Sequence, residues 1–300
     1  MHVLIVRNPK SGRGRQGLEP FKKELIRFGA KVTVRELKPK ERLSHALGDA
    51  KDFDRIVIAG GDGTVSNAAY ALRNTGIPIM VYPAGTANLL ASNLKMPSNP
   101  EDLARTAILG QIIDIDIAEL ELRKPVHPHD IPEKIGFVLN AGAGLDAEIV
   151  AKAKPLKPKL KDLSYLVAAL RCWKHPSSTF TLEIDGQTIQ ETAVGILIVN
   201  FGKLHFDLPL VKSSEPQDGQ LEVIIIKPSK HLVQTAIKAI LSRKGVESPD
   251  VQETLVVRFG KRIKVISDPP VALQRDGELS EYTTPFEAII LPKAVRFVVP

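Results

Sequence analysis

Two lobes are predicted for this 300-residue chain: an α/β lobe built on a parallel sheet, then a mostly β lobe, with a cleft between them. Three observations carry that prediction. Residues 1 to about 118 alternate short apolar strands with helices, the rhythm of a parallel sheet covered on both faces. From about residue 112 the pattern changes to strand after strand with few helices. The composition, 43% hydrophobic and 25% charged, supports a packed core rather than a disordered polymer.

In order, strand 2–6 is followed by a loop with Ser11, Gly12 and Gly14 and the helix 18–29. Strand 30–37 precedes a helix over 41–50, and strand 55–60 leads through a glycine turn into a helix from about Val65 to Arg73. Strand 77–85 is followed by helices over 86–94 and 100–110. The second lobe reads as strands 112–122, 134–144, 179–185, 190–200, 221–227, 253–260, 262–267 and 286–292, with a hairpin turn at "IDGQ" (184–187). Helices over 160–173 and 230–242 interrupt it.

A single cysteine, Cys172, rules out an internal disulfide framework and, beside Trp173 in an apolar helix, reads as a buried thiol. Met1 runs directly into a strand, and no apolar run approaches the roughly 18 residues of a membrane span, so a soluble, cytoplasmic protein is expected. The net charge of +7 suits nucleic acid, anionic lipid or phosphorylated small molecules. Nucleic acid has little support: there is no zinc-finger spacing, and ten Phe, four Tyr and one Trp leave few stacking platforms. "HPHD" (127–130), flanked by Pro125, Pro128 and Pro132, reads as a hairpin loop before a metal site. "KAKPLKPKLK" (152–161) sets five lysines around two prolines, as a solvated linker or as a contact for anionic headgroups.

Three loops carry the chemistry. "NPKSG" (8–12), "GGDGT" (60–64) and "PAGTAN" (83–88) each close a strand at the edge where ligands of parallel sheets collect. Glycines let a phosphate approach the backbone, amides at a helix start favour an anion, and Thr64 and Thr86 add hydroxyl donors. One such loop is as easily a tight turn; three on one edge form a phosphate cradle. Asp62 repels phosphate unless a cation lies between, which points to Mg²⁺ bridging to a nucleotide. The other reading of Asp62 is a carboxylate bonded to its own turn.

In that order and spacing, the three loops resemble the diacylglycerol kinase catalytic domain family, which includes soluble bacterial lipid kinases and is related to sphingosine and ceramide kinases. "NAGAGLDAEIV" (140–150), "LSYLVAAL" (163–170), "EPQDGQLEV" (215–223), "RDGE" (275–278) and "LPKAVRFVVP" (291–300) extend the resemblance over essentially the whole chain. It implies a nucleotide-binding lobe over 1–118, with 293–300 free to pack back on it, and a β-sandwich lipid-substrate lobe over 119–292. It also implies ATP and Mg²⁺ as cofactors, a lipid such as diacylglycerol as acceptor, and peripheral contact with the inner membrane face, and it allows a homodimer. Asn8, Ser11 and Gly12 would lie beside the nucleotide, Gly60, Gly61, Asp62, Gly63, Thr64, Val65, Ser66 and Asn67 would wrap its phosphates, and Thr86 would touch them. Asp276 would take the acceptor proton with Glu278 two residues away; Asp218, with carbonyls of Glu215 and Gln220, would hold a structural Mg²⁺.

The chain departs from many bacterial members at Ser66–Asn67, where Asn-Glu is usual, and at Leu89, where an acid is usual. Leu37 also stands where some relatives have a nucleotide-contacting threonine. Two other readings follow: an NAD kinase-like enzyme with a soluble acceptor, and a non-catalytic nucleotide- or lipid-binding regulator. Taken without the resemblance, "QRDGEL" reads as an ordinary β-turn.

Overall fold

A computed structural model describes residues 1–11, 18–39, 41–122, 132–153, 176–201, 203–204, 208–209, 215–229 and 254–300. Gly12, the 127–130 loop, Cys172, nearly all of the lysine-rich stretch and the helices expected over 160–173 and 230–242 lie outside the described residues. The chain divides into two compact units, one of residues 1–117 with 292–300, the other of residues 118–291.

In the first unit β1 (His2–Arg7) is followed by α1 (Leu18–Arg27), β2 (Lys31–Glu36), α2 (Leu43–Ala46), β3 (Arg55–Gly60), α3 (Asp62–Ala71), β4 (Pro78–Pro83), α4 (Leu89–Asn93) and α5 (Pro100–Leu109). β1 pairs in parallel with β2 on one side and with β3 on the other, and β3 pairs in parallel with β4. The alternation of side chains along these strands sends Val3, Ile5 and Val57 into a core with Leu18, Phe21 and Leu25 of α1 and Leu103, Ala104 and Ala107 of α5. The spacing of Leu18, Phe21 and Leu25 is one helix face, which is why α1 forms there. Asn99 caps α5 by accepting the Asp102 amide at 2.8 Å, with Pro100 opening the first turn. The helix expected over 41–50 is instead the single turn α2 and a 3₁₀ turn at Ala50–Asp52. Gly48 lies between them, and glycine costs about 1 kcal/mol in a helix interior.

The chain proceeds through β5 (Gln111–Leu122) into the second unit, with β6 (Glu133–Phe137), β7 (Asn140–Gly144), α6 (Leu145–Ala153), β8 (Ser178–Ile184), β9 (Gln187–Ala193), β10 (Gly195–Val199), the two-residue strands β11 (Lys203–Leu204) and β12 (Leu208–Pro209), β13 (Leu221–Ile226), β14 (Leu255–Gly260), β15 (Arg262–Asp268), β16 (Ala272–Arg275), β17 (Glu278–Thr283) and β18 (Phe286–Val299). One antiparallel sheet runs β14-β13-β10-β7-β16-β17. A second antiparallel set pairs β9 with β8, β8 with β15, and β15 with residues 286–289 of β18. Inner-facing residues of both, among them Phe180, Leu182, Ile196, Ile198, Val223, Ile263, Val265 and Leu273, form one buried core, so this unit is a β-sandwich. Residues 296–297 of β18 pair in parallel with β4 of the first unit's sheet.

Two strands expected to be continuous are broken. Residues 134–144 divide into β6 and β7, which join different sheets. Residues 190–200 divide into β9 and β10 around Val194, whose amide bonds Ile226 O and whose carbonyl accepts the Leu145 amide. A run of strand-forming residues does not mark a point where a strand changes sheets.

Candidate functional site

In the first unit the chain winds outward from β1 to β2 in one direction and to β3 and β4 in the other. The switch point therefore lies between the carboxyl ends of β1 and β3, where an open α/β sheet leaves a crevice. Asn8 and Gly61 leave the sheet at that crevice, and their loops are tied together. Asn8 Nδ2 donates to Thr64 Oγ1 at 2.8 Å, and the Asn8 amide donates to Ala59 O at 2.9 Å. Asn8 also turns its own loop, its Oδ1 accepting the Lys10 amide and its carbonyl the Ser11 amide. Thr64, having accepted from Asn8, keeps its hydroxyl hydrogen as a donor.

The third loop is fastened to the second. Asp62 Oδ1 accepts the Leu90 amide at 2.9 Å, so the carboxylate ties its own loop to the start of α4. Asn88, in the left-handed region at φ 50°, folds its amide back on Gly85, accepting at 2.7 Å and donating at 3.0 Å. The glycines are dictated by packing. A Cβ on Gly85 would lie 2.6 Å from Gly61 Cα, and one on Gly60 would lie 2.7 Å from Thr64 Cβ. Gly61 caps α3 in extended conformation, and the first amides of any helix have no carbonyl one turn back, so they face outward as anion donors.

Of the phosphate-wrapping residues expected from the sequence, Gly61, Asp62, Gly63, Thr64 and Asn67 are partly exposed and Thr86 is exposed. Val65 and Ser66 are 1% and 0% exposed, so neither presents surface to a ligand here. The helix expected from residue 86 begins at Leu89, because Asn88 in its left-handed conformation cannot continue a helix toward Thr86. Arg7, the last residue of β1, was not singled out by the sequence. It is 8% exposed, and its Nη1 donates to Glu36 Oε1 at 2.7 Å, placing a paired cation at the same sheet edge.

In the second unit Asp276 and Gly277 form the turn of the β16–β17 hairpin, with φ of 45° and 75°, the mirror-image turn that Asp-Gly favours. The turn also sets the carboxylate of Asp276 in a backbone nest. Oδ1 accepts the amides of Leu139 at 2.9 Å and Asn140 at 3.1 Å, and Oδ2 accepts that of Val138 at 3.2 Å. Those amides belong to the link between β6 and β7 and to the first residue of β7, so the break in the expected strand is what builds the nest. Asp276 is 8% exposed, whereas Glu278 is exposed and stands opposite Arg275 in the ladder.

Beside the nest lies a polar cluster that the motifs did not single out. Gln274 Nε2 donates to Asn140 Oδ1 at 2.8 Å and also to Asp146 Oδ2, and Asn200 Nδ2 donates to Val138 O at 2.9 Å. Burial pushes the Asp146 carboxyl up to about 6, against the opposing pull of the Gln274 bond. Its members are scattered along the chain, Asn140 opening β7, Asp146 in α6, Asn200 just after β10 and Gln274 in β16, so no local sequence signal gathers them.

The turn before β13 carries Glu215, Asp218 and Gln220. Asp218 Oδ1 accepts the Gln220 amide at 2.9 Å, the Asp218 amide reaches Glu215 O at 3.3 Å, and Gly219 has φ 71°. One carboxylate and neighbouring carbonyls in a tight exposed turn are a hard-oxygen donor set of the kind Mg²⁺ takes. Among the described residues no group of three or more His, Cys, Asp or Glu is gathered for a metal ion. Among the same residues no helix is long and apolar enough to cross a membrane.

Residues 2–120 match the diacylglycerol kinase catalytic domain, and residues 140–299 match the YegS C-terminal NAD kinase beta sandwich-like domain. An uncharacterized protein of Synechocystis sp. is 30% identical over 285 residues, covering 90% of this chain, and the chain spans 60% of that protein's length. A Staphylococcus aureus protein named "Putative lipid kinase" is 26% identical over 258 residues, covering 83% of this chain and 78% of its own. Among solved structures, one titled "Crystal structure of a putative diacylglycerol kinase from Bacillus anthracis str. Sterne" superposes with a TM-score of 0.79 over 100% of this chain and 97% of that one. At 20% identity that likeness is one of fold.

Proposed function

Because the chain belongs to the lipid kinase family that joins a diacylglycerol kinase catalytic domain to a YegS C-terminal domain, we propose that it transfers the γ-phosphate of ATP to a lipid hydroxyl, with diacylglycerol as acceptor and phosphatidic acid as product. The observation that carries this reading is the knitted glycine edge, where the second and third loops approach too closely for any side chain at Gly85 and Asn8 ties the first loop to Thr64. The outward amides of α3 and the Thr64 hydroxyl bind the phosphates, and Asn8 and Ser11 flank them. Thr86 adds a donor from the third loop.

Mg²⁺, when bound, neutralises charge on the β- and γ-phosphates. Asp62 is the carboxylate suited to hold it there, and Asp218 with the carbonyls of Glu215 and Gln220 suits a structural ion. Asp276 acts as general base: its carboxylate takes the acceptor's hydroxyl proton as that oxygen bonds to phosphorus and the bond to ADP breaks. The exposed Glu278 lies two residues beyond Asp276 and adds a second carboxylate near the turn. The five lysines of 152–161 support contact with an anionic membrane surface, in a protein acting at the cytoplasmic face.

The YegS-type domain is described as NAD kinase beta sandwich-like, which gives the alternative acceptor, NAD, a specific basis. Supplying γ-labelled ATP with diacylglycerol micelles and, separately, with NAD discriminates the two. Label in the lipid phase is the expected result; label on NAD overturns the lipid reading.

A further inference from the structure

Gln274, the third residue of β16, is 1% exposed, and its single amide reaches three partners around the Asp276 turn. Nε2 donates to Asn140 Oδ1 at 2.8 Å and to Asp146, while Oε1 accepts the Gly277 amide at 3.0 Å. Gly277 is the residue after Asp276. Asn140 gives its own amide to Asp276 Oδ1 at 3.1 Å and accepts the Asp276 amide at 2.8 Å. One side chain therefore grips both the chain that carries the carboxylate and the chain that holds it.

The grip meets a need. At φ 45° Asp276 occupies the left-handed region that an Asp-Gly turn favours, so the turn alone sets the backbone and the direction of the carboxylate rests on its partners. Asp146, in the first turn of α6, braces Gln274 from the other side. Its carboxylate lies directly over β7, where a Cβ on Gly142 would sit 2.0 Å from Asp146 Oδ2, so only glycine admits it. A desolvated carboxylate costs stability unless it is bonded, and an apolar pair at 146 and 274 would fill the same space without that cost. The polar pair therefore points to a task other than packing.

Resting on the kinase reading, we propose that Gln274, braced by Asp146, is a positioning residue that fixes the Asp276 carboxylate in its working orientation. Being buried, Gln274 acts through the turn and not on a bound molecule.

The test uses the full chain as Gln274→Met, Asp146→Leu and Asp146→Asn. It measures turnover of ATP with diacylglycerol micelles, and hydrogen exchange of the amides of residues 138–140. Gln274→Met is expected to lower kcat at least tenfold with the KM for ATP within twofold, and to speed exchange at 138–140 at least tenfold. Asp146→Leu reproduces both effects, which serves if Gln274→Met does not fold. Asp146→Asn, whose carbonyl still accepts from Nε2, recovers most of the loss. In an Asp276→Ala background, adding Gln274→Met leaves the residual rate unchanged. Wild-type kcat in Gln274→Met, or a further rate loss in the Asp276→Ala background, overturns the proposal. If the unmodified protein phosphorylates no lipid, the kinase reading falls and exchange alone decides: unchanged protection at 138–140 sinks the positioning role, and tenfold faster exchange sustains it.

Discussion

A carboxylate that accepts three backbone amides has its position set to within the length of a hydrogen bond, which is what proton transfer requires of a base. Asp276→Asn keeps a side chain of the same size at the turn and removes the carboxylate that we propose as the base. It is expected to lower kcat by about 10²- to 10⁴-fold, with ATP affinity within about twofold, measured by steady-state rates and calorimetry. Asp146 makes a separate prediction about pH. Its pKa rises from the ordinary aspartate value of 3.8 to about 6 in the fold, so the native state binds the proton more tightly than the unfolded chain does. Its contribution to stability is therefore fully present below about 4 and is lost as pH rises through about 6. Asp146→Asn removes that titration, and its stability relative to the unmodified protein should improve by on the order of 2 kcal/mol between pH 4 and pH 7. Urea unfolding at the two pH values checks this; a constant difference contradicts it.

The loops of the first unit work as a set because each is fastened to a neighbour. Asn8 holds Thr64, Asp62 holds the start of α4, and Asn88 closes on Gly85. Gly85→Ala should break the set, since its Cβ would meet the backbone of Gly61 at 2.6 Å and backbone cannot yield as a flexible side chain does. The expected result is a stability loss of about 1–3 kcal/mol, with ATP affinity lowered at least tenfold. Wild-type affinity in that variant would mean the close approach does not shape the phosphate site. Much of this was legible in sequence, because Gly-rich turns between an apolar strand and a helix are local signals. What the side chains of Asn8 and Asp62 bond was not, since Asn8 and Thr64 are separated by 56 residues and Asp62 and Leu90 by 28. The break between β6 and β7 was hidden for the same reason. Residues 134–144 read as one strand, with only Lys134 and Asn140 polar, and the amides of 138–140 turn aside for a carboxylate more than 130 residues away.

For the whole molecule, the change from α/β rhythm to consecutive strands was enough to foretell a parallel sheet followed by a β-rich lobe, because each pattern is set by local periodicity. Which strands share a sheet depends on contacts at long range, as with β18, whose residues 296–297 pair with β4 near the other end of the chain. Val295, Phe297 and Val298 are buried there, and Asp116 accepts the Lys293 amide at 2.6 Å. Ending the chain at Leu291 should therefore expose the edge of β4 and yield aggregated protein, seen by size-exclusion chromatography; a folded monomer would show that the last strand is dispensable. The central claim is that this chain moves phosphate from ATP to a lipid alcohol with Asp276 as the base. Its most direct measurement is the transfer of γ-labelled phosphate into extracted lipid by the unmodified protein and by Asp276→Asn, with ATP binding measured for both. Labelled phosphatidic acid from the first, almost none from the second, and equal ATP binding are predicted. Equal labelling by the two proteins, or none by either while ATP is bound, would contradict the account.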